Sequence, residues 1–94
     1  MIILNPDDDP DKLWRYGVYR TPTEYTFEAK VYGAPSHFGI SGSNVSKLRV
    51  WKSCGVEREE RYGYDRGLYL EPVDSVVAHV VDDIVAFFMA EIDG

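Results

Sequence analysis

Asp65 and Arg66 are adjacent charged residues in a stretch rich in turn-forming side chains, and Lys47 supplies another charge nearby in the predicted sheet. If Arg66 or Lys47 held Asp65, its carboxylate could serve in acid–base chemistry. In the alternative, Asp65 closes a turn, Gly67 adopts a positive φ, and Arg66 is solvated or stacks on Tyr64. We favour the turn, since Asp65 and Gly67 are residue types that turns commonly use.

His79 and Asp83 are four residues apart on a predicted helix, a spacing that suits two ligands of a metal ion, and Asp82 lies beside them. The spacing predicts no third ligand, and these residues lie on the polar side of the helix. A solvated His–Asp pair is therefore the favoured interpretation. The sequence predicts no metal site and no cofactor.

Asp7, Asp9 and Asp11 alternate in the way that the first ligands of a calcium-binding loop do. Such a loop needs glycine at its sixth position and glutamate at its twelfth, where this chain has Lys12 and Val18. We therefore interpret residues 1–12 as an acidic N-terminal arm rather than a calcium site.

Motifs of the common enzyme classes are missing from the sequence, which has no P-loop, dinucleotide fingerprint, nucleophile elbow or C-x-x-C pair. Its single cysteine, Cys54, is predicted to be an unreactive core residue and indicates a reducing, cytoplasmic location. The question of catalysis stays open, and we lean toward a non-enzymatic protein.

Aromatic and basic residues alternate on one face of the predicted sheet, which is typical of surfaces that bind rings or nucleotides. Trp51 and Tyr32 could stack on a ligand near Lys47 and Asp65. The candidate binding residues are Lys30, Lys47, Arg49, Trp51, Tyr64, Asp65 and Arg66. We predict a small-molecule or nucleotide ligand as one alternative function.

The composition excludes some partners. Acidic residues outnumber basic ones by sixteen to ten, giving a formal net charge of -6. This charge argues against general, sequence-independent binding of nucleic acid. No apolar run approaches the ~20 residues of a membrane span, and the apolar residues 1–4 are far shorter than the core of a signal peptide. We expect no nucleic-acid partner and no membrane association.

Alternating and helical patterns predict an α+β domain over residues 1–94. Strands are predicted within 13–72, as a four- to five-stranded antiparallel meander, and a C-terminal helix within 73–92, capped by Asp74 and packed on one face. The predicted core comprises Trp14, Phe27, Val31, Leu48, Val50 and Phe87.

The apolar side of the predicted helix is wider than one sheet face needs. Val81, Val85, Met89 and Ile92 extend beyond it. Our leading hypothesis is a protein-interaction module that self-associates through this flank as a homodimer. In the alternative, loops and the apolar N-terminal residues 1–4 cover the flank within one chain.

Four segments carry a resemblance to a family of small uncharacterised proteins of Gram-positive bacteria and their phages. They are Glu28-Ala29-Lys30-Val31-Tyr32, Phe38-Gly39-Ile40 with Ser36 before it, Val45-Ser46-Lys47-Leu48, and Tyr64-Asp65-Arg66-Gly67. The chain departs from that family at Ser43-Asn44 and Leu68. The resemblance implies the fold, no activity, and a shared cluster of Lys30, Ser46, Lys47, Tyr64, Asp65 and Arg66. A third hypothesis for the function is phage-type inhibition of a host protein.

Overall fold

A computed structural model describes residues 1–54 and 56–93, without the side chains of Cys54 and Asp93. The prediction for the Cys54 thiol therefore lies outside the described residues. The strands are β1 (Ile2–Leu4), β2 (Trp14–Arg20), β3 (Glu24–Val31), β4 (Val45–Cys54), β5 (Glu57–Asp65) and β6 (Leu68–Leu70), followed by the helix α1 (Ser75–Asp93). In this part of the chain, no helix is long and apolar enough to cross a bilayer.

The strands form a single antiparallel sheet in chain order, with α1 packed on one face. Over the described ranges the sheet has six strands, so the prediction of four to five was wrong. The predicted α+β class and the C-terminal helix are confirmed. The added strand β1 lies within the predicted N-terminal arm and pairs with β2, with Ile3 opposite Val18.

Alternation along β3 places Tyr25, Phe27, Ala29 and Val31 in the core, as predicted. In the register, Phe27 lies opposite Val50 and Ala29 lies opposite Leu48. We call this side of the sheet, which faces α1, the inner face, and the opposite side the outer face.

The helix α1 begins next to its predicted cap: Val77 N–H donates to Asp74 Oδ1 at 2.9 Å. Its inward stripe of Val77, Val80, Ile84 and Phe88 follows the helical repeat and is fully buried. The Phe88 ring meets Phe27 edge-on at 6.2 Å. The helix and the sheet share one core here, because these rings and aliphatic side chains come from both layers.

The predicted core position of Trp14 was wrong, because β2 turns its other side inward. Trp14 is 40% exposed on the outer face, whereas Arg15 is 1% exposed beneath α1. The next inward position is Gly17, where an added Cβ would lie 2.8 Å from the Phe27 ring. The Phe27 side chain thus fills the space that Gly17 leaves. Phe87, also predicted as core, lies partly buried at its margin.

Arg15 joins the N-terminal arm to the end of α1. Its Nε donates to Asp8 Oδ1 at 2.6 Å and its Nη1 to Glu91 Oε1 at 2.7 Å, with a second bond to each carboxylate. The guanidinium also lies 5.1 Å from the centre of the Phe88 ring. These bonds satisfy the buried charge, which explains why β2 can place an arginine in the core.

Candidate functional site

A row of residues from four strands crosses the outer face. Trp14 lies opposite Lys30, Lys30 opposite Lys47, and Lys47 opposite Asp65. Directly opposed side chains on one face are close neighbours, so the register brings these four together. Tyr32 and Arg66 adjoin this row. We call its aromatic and basic residues the basic–aromatic cluster, which comprises Trp14, Lys30, Tyr32, Lys47 and Arg66.

The lysines of this cluster lie against its rings. Lys30 Nζ is 6.0 Å from the Trp14 ring centre and 5.6 Å from that of Tyr32, and Lys47 Nζ is 5.9 Å from Trp14. Lys47 is also 3.4 Å from Asp65. Lys30 and Arg66, by contrast, have no carboxylate within 4.0 Å among the described side chains. An acidic chain therefore carries uncompensated positive charge at this place.

The pKa of the Tyr32 hydroxyl responds to this local positive charge. The pKa of Tyr32 is lowered chiefly because Lys30 can donate a hydrogen bond to the phenolate, and Ser46 and Arg66 act in the same direction. The Ser46 oxygen is buried and has no partner at hydrogen-bonding distance among the described atoms. It therefore acts as a neighbouring dipole rather than as a bonded donor. The surroundings of Tyr32 favour a negative charge.

Two clefts adjoin the cluster. One, of about 610 Å³, is lined by Tyr32, Ser46 and Arg66 and by the loop residues Pro35, Ser36 and Phe38. The other, of about 310 Å³, is lined by Trp14, Lys47, Arg49, Asp65 and Tyr69 among others. Both volumes fall within the range of small-molecule sites. The larger cleft combines apolar walls with the cationic residue Arg66.

The loop that forms the larger cleft is held in place by hydrogen bonds from Tyr64 and Asn44. The Tyr64 hydroxyl donates to the Phe38 carbonyl at 3.0 Å. Asn44 Nδ2 donates to the carbonyls of Tyr32 at 3.2 Å and Phe88 at 3.0 Å. These bonds tie the loop to β5, β3 and α1, so the cleft is formed before any ligand arrives.

The turn between β5 and β6 differs from its prediction. Arg66, not Gly67, adopts the left-handed conformation, with φ of 57°. Its backbone N–H donates to the Ser46 carbonyl at 3.0 Å, and Asp65 N–H donates to the Gly67 carbonyl at 3.0 Å. A non-glycine residue in this region is uncommon and strained, and this one lies in the lining of the larger cleft.

Two predicted binding residues lie outside the cluster. Trp51 is 7% exposed, and its ring is covered by Arg58 at 4.0 Å and Arg49 at 4.7 Å. Arg49 is bound to Glu60 at 2.6 Å. The ring of Trp51 is therefore less accessible to a ligand than the sequence suggested, and stacking on it stays a prediction. Trp14 is the more exposed tryptophan of this face, and its alternation with the charged Arg15 is the sequence signal that could have indicated this.

Comparison with known families now adds one finding. Residues 13–89 match the domain of unknown function DUF7678. The chain belongs to this family. The match agrees with the expected membership of an uncharacterised family and assigns no activity. Neither the curated proteins nor the solved structures contain a match to the chain.

The self-association flank predicted for this DUF7678 domain is partly covered by its own chain. Val81 is 5% exposed within the core, and Val85 packs against that core. Met89 is half-buried and Ile92 is 37% exposed. The apolar N-terminal strand β1 also packs on the core through Ile2. The surface left to a second copy on this flank is smaller than the sequence predicted.

His79 and Asp83 lie 3.3 Å apart on the exposed side of α1, as a solvated pair would. Asp83 also accepts a hydrogen bond from the Tyr19 hydroxyl. That bond, with burial, raises the pKa of Tyr19 to about 12. Among the residues that the structure describes, no three His, Cys, Asp or Glu side chains form a group that could hold a metal ion.

Proposed function

We propose that this domain is a non-enzymatic binding module for a small planar ligand that carries a phosphate, such as a nucleoside monophosphate. The ligand binds at the basic–aromatic cluster. The observation that carries the proposal is the pair of cations, Lys30 and Arg66, which flank Tyr32 without a carboxylate partner among the described residues. Their charge would be balanced by a bound anion.

Charge matching favours a phosphate over a carboxylate. A phosphate monoester carries about -1.5 to -2 charges at neutral pH, which suits two cations, whereas a carboxylate carries one. Arginine binds phosphate oxygens through paired N–H groups, and lysine binds them as a point charge. Lys47 contributes less, because Asp65 already lies 3.4 Å from its ammonium.

Exposed rings beside these cations supply a place for the planar part of the ligand. Trp14 and Tyr32 keep 40% and 38% of their surface exposed, and Phe38 is exposed on the loop of the larger cleft. Stacking of one base on an aromatic side chain stabilises a complex by about 1–3 kcal/mol. The ring and the phosphate can therefore be bound together.

Self-association through α1 has less support, since Val81 lies in the core and the exposed part of the flank is centred on Ile92. The homodimer and the inhibition of a host protein remain predictions. The outer face is the better basis for function because its exposed rings and free cations are left over after the core is formed.

Calorimetric titration with nucleoside monophosphates, with Trp14 fluorescence as a second signal, tests the proposal. Lys30→Met should weaken binding about tenfold, since it removes one charge-assisted contact while keeping the aliphatic stem. Lys52→Met is the matched control: Lys52 lies opposite Tyr25, roughly 17 Å along β3 from Lys30. It should leave affinity unchanged. No binding at millimolar nucleotide, or equal losses in both variants, would refute the proposed site.

A further inference from the structure

We infer that the acidic N-terminal segment, residues 5–12, limits the outer face to short ligands by repelling longer polyanions such as single-stranded nucleic acid. The inference rests on the proposed function, because it concerns which phosphate-bearing ligands reach the same rings. Its basis is the position of the segment's carboxylates relative to those rings.

The segment has a fixed position beside the sheet. Asn5 N–H donates to the Tyr16 carbonyl at 2.9 Å, Asp8 N–H to the Asn5 carbonyl at 2.8 Å, and Lys12 N–H to the Asp9 carbonyl at 2.9 Å. The bidentate pair between Asp8 and the buried Arg15 ties its middle to the core. Its carboxylates therefore have a defined location.

Two of these carboxylates lie at the border of the exposed rings. Asp7 lines a cleft of about 230 Å³ together with Trp14 and Tyr16. Asp11 lines another, of about 400 Å³, to which Tyr32 also contributes. Both aspartates are exposed, and neither has a salt-bridge partner among the described residues.

Trp14, Tyr16 and Tyr32 with their neighbouring lysines otherwise resemble the stacking surfaces that bind single strands. Neither Lys30 nor Arg66 lines the clefts of Asp7 and Asp11, so a mononucleotide bound at these two cations keeps its phosphate outside both clefts. A longer strand that follows the rings toward Tyr16 brings further phosphates within the ~10 Å screening length of Asp7. The repulsion then grows with each added phosphate, so chain length decides binding.

In the sequence, the net charge of -6 argues against nucleic-acid binding by the chain as a whole. The positions of Asp7 and Asp11 beside the rings attribute this exclusion to two particular carboxylates. The two explanations predict different results. If net charge excludes the polyanion, any two acidic residues are equivalent. If position decides, neutralising Asp7 and Asp11 has an effect that neutralising two remote carboxylates does not have.

The test compares Asp7→Asn/Asp11→Asn with Glu57→Gln/Asp82→Asn, which removes the same charge at the exposed β5 end and on α1. Each protein is titrated with thymidine monophosphate and with a short oligothymidylate at about 0.05 M and about 0.5 M salt. We expect the arm variant to bind the oligonucleotide about tenfold more tightly than the control variant at low salt, and the difference to shrink at high salt.

The two proposals fail separately. Equal oligonucleotide affinity in both double variants, or no oligonucleotide binding by either, overturns the role of the arm. Failure of every protein to bind thymidine monophosphate overturns the proposed function, whatever the oligonucleotide does. A gain in affinity for thymidine monophosphate as large as that for the oligonucleotide also overturns the role of the arm, because the effect then does not depend on ligand length.

Discussion

Replacing Arg15 by methionine tests what holds the N-terminal segment and the end of α1 to the sheet. The change keeps an aliphatic side chain of similar length next to Phe88 but removes four hydrogen bonds, two to Asp8 and two to Glu91. Those bonds, the ones to Glu91 foremost, raise the pKa of Arg15, so the guanidinium stays charged at every ordinary pH.

The cost follows from what the substitution leaves behind. Removing one partner of a buried ion pair destabilises a protein by about 3–5 kcal/mol, because the remaining charge is uncompensated. Asp8 is only 10% exposed, whereas Glu91 is 33% exposed and can turn toward water. We therefore expect the lower end, about 3 kcal/mol, which is a large share of the ~5–15 kcal/mol typical of a domain.

Urea unfolding followed by circular dichroism measures this free energy. Arg20→Met is the matched control, since the Arg20–Glu24 pair is 3.3 Å apart but more than 40% exposed on both sides and should contribute less than about 1 kcal/mol. Adding Asp8→Asn to Arg15→Met should recover part of the loss, because it removes the charge that Arg15→Met leaves uncompensated. A loss below about 1 kcal/mol for Arg15→Met, or equal losses for both arginines, would refute this account of the core.

Two further predictions concern the loop and the alkaline limit. Gly39→Ala places a Cβ 1.8 Å from the Ser43 carbonyl oxygen, a backbone atom that has no side-chain freedom to relieve the clash. Unfolding measurements should therefore show a loss of about 2–3 kcal/mol in the free energy of unfolding. Gly33→Ala, with open space around it, should change stability by less than about 0.5 kcal/mol; similar losses at both would contradict the packing. The pKa of Tyr19 is raised to about 12 by its bond to Asp83 and that of Tyr62 to about 12 by burial, both from 10.0. Because both folded pKa values are raised, the stabilisation is complete below pH 10 and is lost as the pH rises toward 12. The urea midpoint should fall over that range, and less so in Tyr19→Phe; a flat profile would contradict the assignment.

The inner face of β3 could be predicted because every second residue from Tyr25 to Val31 is apolar. The orientation of β2 could not. Trp14, Tyr16 and Val18 form its more apolar side, yet the side with Arg15 faces α1. The partners that make this stable are seven and seventy-six positions away in the sequence. No local pattern contains that information, and three-residue strands such as β1 and β6 are too short to show an alternation.

The candidate site was predictable in part for the same reason. Lys30, Lys47 and Asp65 share the outer face because the register pairs them across neighbouring strands. Trp51 has the same parity and appeared equivalent. A shift of register between Val50 and Trp51 and the guanidinium of Arg58 over the ring distinguish it, and neither can be deduced from spacing.

The two tryptophans of the outer face differ in how far the chain's own side chains cover their rings. The helix α1 packs on the inner face and leaves the outer face without a covering element among the described residues. Outer rings must therefore be covered by side chains or stay exposed. Trp51 is covered by two arginines, one of which is paired with Glu60, so its ring is shielded by the chain's own side chains. Trp14 has lysines at about 6 Å and remains 40% exposed, and Lys30 has no carboxylate among the described side chains. In the first arrangement the ring is covered within the chain. The second lacks an anion and a planar partner, which is the chemistry that the proposed ligand would supply.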